Sequence, residues 1–274
     1  MILFKPHPAL EHLIYFYVYN EIDFSSIQSS NQYLFTPTHK KFIAIYLEDP
    51  ITVSSQERTE EVKEFVIVGP QTRPVNLNLN RKHRMLAIKL KPCAQHYMLN
   101  GFPMHRLADS YLKGGDVFNN HGTELMEKLK QVQKPLMLKV YLDEFFLKIA
   151  KTASKQSKID LMLEEMEIFQ SVDELSRSAN ISARQFERIC NERLGMPPKL
   201  YLRIKRFSKA YALKELNPEL KWTDVAHIFN YYDQMHLIRD FREFAGYTPS
   251  EIDTIVERSI KNYANFEVRS SSFY

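Results

Sequence analysis

Asn180–Pro198 reads NISARQFERICNERLGMPP, and Asn230–Pro249 reads NYYDQMHLIRDFREFAGYTP. Each opens on an asparagine, which enters the left-handed backbone region more readily than most residues and can stop a preceding helix. Each then places a capping side chain, Ser182 or Asp233, ahead of apolar residues at helical spacing. Each ends on a glycine followed at the third position by proline, Gly195 with Pro198 and Gly246 with Pro249. The two stretches lie fifty positions apart, and their Asn-to-Gly separations, 15 and 16, differ by one. One supersecondary unit is therefore written twice.

The residues upstream supply a first helix to each copy. Ser171 and Glu174 have capping-box spacing before Val172, Leu175 and Ala179. Thr223 is placed to cap a short helix carrying Val225, Ala226 and Phe229. Two helix-turn-helix units follow, and Pro198–Leu216 between them reads as one helix. Its Tyr201, Ile204, Ala210 and Leu213 are set inward, and its Arg203, Arg206 and Lys209 outward.

The outer faces of the two second helices carry polar chemistry. In the first unit Phe186, Ile189, Cys190 and Leu194 form the apolar stripe, leaving Arg184, Glu187, Arg188 and Asn191 on the other side. The second unit presents Gln234, Met235, His236, Arg239 and Arg242 opposite Leu237, Phe241 and Phe244. Arg pairs with guanine edges, Gln with adenine, Glu with the cytosine amine, and Met can touch a thymine methyl. A solvated helix face would carry a similar mixture, so it is the pairing of the units that argues for a reading surface.

Composition is consistent with this. At 274 residues the chain is long enough for two domains, and 44% hydrophobic with 26% charged residues describes an ordinary folded protein. The net charge of +4 is small, but ten Lys/Arg against two acids lie between Arg177 and Lys214. That excess suits a polyanion. No apolar run is long enough to span a membrane, LIYFYVY at Leu13–Tyr19 being the nearest, and no secretory signal opens the chain, so a cytoplasmic protein is expected. Cys93 and Cys190 form no C-x-x-C pair. His39, His83, His96, His105 and His121 have no H-x-H spacing, so neither a metal nor another cofactor is implied. Nucleotide-binding, hydrolase and zinc-protease signatures are missing and glycine is scarce at seven, which argues against an enzyme.

The first half reads as α+β. Phe42–Leu47, Phe65–Val68, Val75–Leu79 and Met85–Leu90 have strand character between turn formers. Helices are expected at Ala94–Asn100, at Thr123–Lys130 and from Pro135 onward. Short strands plus helices, with a barrel-like arrangement as one option, make up this part. The expected boundaries are 1–150 for an effector-binding or dimerisation domain, 151–158 (KTASKQSK) for a linker, 159–258 for the helical domain and 259–274 for a tail.

SVDELSRSANISARQFERICNERLGMPPKLYLRIKRFSKAYALKEL, followed by KWTDVAHIFNYYDQMHLIRDFREFAGYTPSEI, resembles the DNA-binding domain of AraC/XylS-type bacterial transcription regulators from about Ile159 to Val256. The resemblance implies seven helices, two recognition helices in adjacent major grooves of double-stranded DNA, and regulation of transcription. It implies base-facing roles for Arg184, Glu187 and Arg188, and for Gln234, His236 and Arg239. Asn191 and Met235 share those faces. Met235 stands where the family often has Ser, and Asn230 where it usually has Gly. Phosphate contacts are expected from Ser182, Arg203, Arg206, Lys209 and Arg242. The first half resembles an N-terminal domain often found ahead of this one. A small-molecule effector, RNA polymerase and a second copy of the chain are therefore candidate partners. A first half that senses a ligand, or does enzyme-like chemistry with DNA binding secondary, is the alternative.

Overall fold

The computed structural model describes residues 1–26, 30–55, 57–153, 157–167 and 171–258. The first part is built on strands β1 (Ile2–Phe4), β2 (Ile14–Asp23), β3 (Gln32–Phe35), β4 (Lys41–Tyr46), β5 (Ile51–Ser54), β6 (Thr59–Val62), β7 (Phe65–Val68), β8 (Val75–Asn78), β9 (Lys82–Leu90) and β10 (Tyr111–Lys113). They form a six-stranded sheet ordered β1-β2-β9-β4-β7-β10 and a four-stranded sheet ordered β3-β8-β5-β6. Every pairing is antiparallel.

The barrel-like option is corrected: neither strand order returns on itself, so each sheet keeps two edges. The large sheet's edges, β1 and β10, are only three residues long, which leaves little unpaired backbone for aggregation.

Period-two alternation divides the large sheet. Ile43, Ile45, Leu86, Ile88 and Leu90 join the core beneath the helices, while Ala44, Tyr46, Met85 and Ala87 face the small sheet with Ile51 and Val62. Both faces are covered, which is why β4, β7 and β9 read as near-continuous apolar runs. The covering helices are α1 (Ala94–Met98), α2 (Gly114–Phe118), α3 (Asn120–Lys130) and α4 (Pro135–Thr152). Phe118, Phe145 and Phe146 stack or meet edge-on with one another and with Phe65 and Tyr17 at centroid separations of 5.1–6.3 Å.

From Lys158 onward the described chain is helical: α5 (Lys158–Glu165), α6 (Val172–Ser178), α7 (Ala183–Arg193), α8 (Pro198–Leu216), α9 (Trp222–Ile228), α10 (Gln234–Ala245) and α11 (Pro249–Arg258). These are the seven helices that the resemblance implies. Of the expected linker, 154–156 lie outside the described residues, as does the expected tail 259–274.

One apolar cluster continues from the first part into the second, through Cys93, Tyr97, Leu163, Met166 and Tyr201. Polar links cross the same seam: His39 Nδ1 to Ser208 Oγ at 2.9 Å, and Lys91 Nζ to Glu164 at 3.3 Å. No described helix is long and apolar enough to cross a membrane.

Candidate nucleic-acid interface

The first unit is assembled by its caps. Ser171 Oγ accepts from the Glu174 amide at 3.2 Å while the Glu174 carboxylate accepts from the Ser171 amide at 2.8 Å, a reciprocal box at the start of α6. The turn passes through Asn180 at φ 54°. Ser182 then caps α7 by accepting from the Gln185 amide at 3.2 Å. α7 stops at Gly195, φ +83°, where a Cβ would also lie 2.3 Å from Pro70 and 2.9 Å from the Met104 carbonyl. Only glycine lets the end of this helix sit so close to the strand-rich part.

The second unit repeats this with one difference. α9 begins two residues earlier than a cap at Thr223 implies, with Lys221 at the N-cap and no side-chain cap hydrogen bond, so Thr223 lies inside the helix. Asn230 turns at φ 53°, Asp233 caps α10 by accepting from the His236 amide at 2.7 Å, and Gly246 ends it at φ +79°. α8 spans Pro198–Leu216 as read, although Leu213 is only half-buried.

On α7, Phe186, Ile189 and Cys190 are buried, Arg184, Glu187 and Arg188 are exposed and Asn191 is half-buried. Arg188 reaches Glu192 at 2.8 Å, an exposed pair that costs little to open. Asn191 Nδ2 donates to the Glu187 carbonyl at 3.1 Å. On α10, Gln234, Met235 and Arg239 are exposed. His236 is turned inward: it is half-buried, its ring meets Tyr231 edge-on at 5.2 Å, and its Nε2 stands 4.0 Å from Asp240.

The expected phosphate contacts divide. Ser182 and Arg242 are exposed, whereas Arg203, Arg206 and Lys209 are half-buried. The Arg203 guanidinium donates to Asp240 and to Glu243, both at 2.6 Å, and covers the Phe244 ring at 5.0 Å. Burial alone would weaken its charge, but the two carboxylates more than compensate and raise its pKa. Arg203 thus joins α8 to α10. Arg206 lies over Tyr231 at 5.4 Å, and Lys209 reaches Glu167 at 3.4 Å.

Two fully buried carboxylates were not singled out by the sequence reading. Asp240 sits on the apolar stripe of α10 beside Phe241, and an acid on such a stripe signals a buried cation. Asp160, at the third position of α5, accepts from Ser157 Oγ at 2.7 Å, from the Tyr97 hydroxyl on α1 and from Arg193 at the end of α7. The Ser-x-x-Asp spacing was the available signal.

A cavity of about 1060 Å³ lies between the two sheets. Its lining includes Phe42, Tyr46, Val66, Leu77 and Met85, with Lys89, and reaches Arg242, Glu243, Gly246 and Tyr247 at the end of α10. Lys89 is buried, with its ammonium 4.8 Å from the Phe42 ring. His83, also on the wall, has its pKa pushed down to about 4 by burial and so stays neutral. Among the described residues no group of three His, Cys, Asp or Glu is placed to hold a metal ion.

Residues 175–254 match a family described as a helix-turn-helix domain, and residues 3–113 match a domain of unknown function (DUF6597). No curated protein matches the chain. Among solved structures, ToxT from Vibrio cholerae is similar at a TM-score of 0.51 and 12% identity, over 87% of this chain and 98% of that one. ToxT from strain SCE256 with an unsaturated fatty acid bound has a TM-score of 0.49 and 12% identity, over 86% of this chain and 94% of that one. The AraC-like transcriptional activator CuxR gives 0.27 and 14%, over 74% and 78%. The first of these is a likeness of fold: a strand-rich part followed by a helical one.

Proposed function

From the premise that its C-terminal part is an AraC-type helix-turn-helix domain, we propose that the protein is a sequence-specific transcription regulator that lays α7 and α10 in adjacent major grooves. The observation that carries this is the repetition of one capped unit on either side of a 19-residue helix. At ~1.5 Å per residue α8 is roughly 28 Å long, near the ~34 Å that separates successive major grooves on one face of the duplex. One chain then needs no second copy to reach both.

Arg184, Glu187, Arg188, Gln234 and Arg239 are the direct readers in this proposal, since all are exposed on the outer faces. Asn191 and His236, half-buried, contribute through the backbone and the scaffold they touch. Phosphates are met by the two helix N-termini capped by Ser182 and Asp233, and by Arg242. Arg203 and Lys209 act chiefly as ties between helices, because carboxylates of the protein already hold them. Affinity should fall as salt rises, with a slope near −0.9 for each phosphate contact.

Arg188→Ala should weaken binding to the cognate duplex by ~1–3 kcal/mol and relax the base preference at one position. Quantitative shift assays on cognate and random duplexes check this. Equal weakening on both would assign Arg188 to the backbone.

The division into 1–150 and 159–258 gives each part a task. The first part is proposed as an effector-binding domain, because its cavity is large, mostly apolar and lined in part by the end of α10. Lys89 in an apolar wall suits a small molecule that combines an apolar body with an acidic group. Long-chain fatty acids should raise the melting temperature of the full chain, and Lys89→Met should abolish the rise. No shift with any apolar acid would contradict this second reading and leave the DNA reading untouched.

A further inference from the structure

The second turn is one residue longer than the first. Asn180 and Asn230 share the left-handed conformation, and the partly buried Ile181 corresponds to the buried Tyr231. The N-cap follows at once in the first unit, as Ser182, but only after Tyr232 in the second. The extra residue is therefore a tyrosine, and it is 94% exposed. Met235 at 61% and Ile228 at 48%, three and four positions from it in the sequence, are exposed as well, whereas no large apolar side chain of Val172–Leu194 is. Three large exposed apolar side chains within eight positions have a cost in water that a partner removes.

The patch lies where a helix-turn-helix meets base edges, at the turn and first residues of the recognition helix. Met235, Arg239 and Arg242 follow at helical intervals on α10, with Tyr232 in the turn just before its N-cap, so the entering end is apolar and the part behind it cationic. Methionine is a flexible apolar filler without a strong donor or acceptor. In the major groove of unmodified DNA the apolar feature is the thymine methyl. Gln234, next to Met235 and exposed, has the amide that pairs with adenine, the base opposite thymine. On α7, Arg184, Glu187 and Arg188, whose partners are guanine and cytosine, are exposed along with Gln185, whereas the first two turns of α10 expose one such arginine, Arg239.

We propose that the two units read different chemistry: α7 a half-site carrying G·C pairs, and α10 an A·T-rich half-site recognised through thymine methyls by Tyr232 and Met235. This rests on the reading that both helices enter major grooves, and it adds the class of sequence each takes.

The test uses the full chain and a bipartite duplex selected from a random pool. Thymines of the α10 half-site are replaced by deoxyuridine, which removes the 5-methyl and keeps the pairing edge. Binding should weaken on the order of fourfold for each methyl that the protein covers. The same replacement in the α7 half-site should have no effect. Met235→Gln and Tyr232→Ser should still bind DNA while losing the distinction between thymine and uracil. A selected α10 half-site without thymine, or uracil bound as tightly as thymine by the unaltered chain, would overturn the inference while leaving the regulator reading in place. Unchanged DNA binding by both variants would likewise overturn it and assign the patch to a protein partner. Failure to select any duplex would remove the regulator reading and this inference together.

Discussion

Phe241→Ala should destabilise the helical part by about 3–5 kcal/mol, a large share of the ~5–15 kcal/mol that holds a typical domain folded. Phe241 is fully buried where three helices meet. Its ring stands edge-on to Phe207 of α8 and to Trp222 of α9, each at 4.9 Å. Loss of the ring removes apolar burial and two aromatic contacts and leaves a cavity that these stiff neighbours cannot fill. Because α10 is positioned by this contact, binding to the second half-site should fall further than binding to the first. Denaturant unfolding and binding to duplexes with either half-site scrambled measure the two effects. Phe241→Leu, which keeps much of the volume, should cost less.

Asp160→Ala should be of similar size, about 3–5 kcal/mol, for an electrostatic reason. The Asp160 carboxylate is fully buried and gathers Ser157, the Tyr97 hydroxyl and the Arg193 guanidinium. Removing it strands a cation that is mostly withdrawn from water, together with two donors that lose their acceptor. Burial pushes the Asp160 pKa up, but the hydrogen bonds from Tyr97 and Ser157 and the charge of Arg193 outweigh it, so the group sits below the ordinary carboxylate range. A depressed folded-state pKa contributes stability that is present above the unfolded value near 3.9 and is lost as pH falls through the folded value. The unaltered protein should therefore lose stability from about pH 4 downward, and Asp160→Asn should flatten that part of the profile. Since Tyr97 belongs to α1, Arg193 to α7 and Ser157 caps α5, the variant should also loosen α7 from the strand-rich part.

The helical half was legible because its signals are local. Asn180, Ser182 and Gly195, with their counterparts Asn230, Asp233 and Gly246, each fix a backbone conformation within a few residues, and α8 is bounded by Pro198 at one end. β4, β7, β8 and β9 were legible from β-branched or alternating runs between turns. β5 and β6 were not: Thr59–Val62 is polar and gains strand structure only by pairing with Ile51–Ser54. β2 is buried on both faces along much of its length, so Ile14–Asp23 has no clean alternation.

The outer faces of α7 and α10 followed from helical period alone, but what each side chain touches did not. Arg203 looked outward on α8, yet its carboxylates lie 37 and 40 positions away. His236 looked outward on α10 and instead packs against Tyr231. Asp160 meets Tyr97 across 63 positions, a contact that no local pattern encodes. Tyr232 was readable as a one-residue difference between the copies, but its projection into solvent was not.

Selection of duplexes from a random pool by the full chain at moderate salt tests the paired-helix proposal most directly. The expected product is a bipartite site with half-sites about 10–10.5 base pairs apart, bound by a single chain. No enriched sequence, or one uninterrupted half-site bound equally well when α10 carries Arg239→Ala, would contradict it.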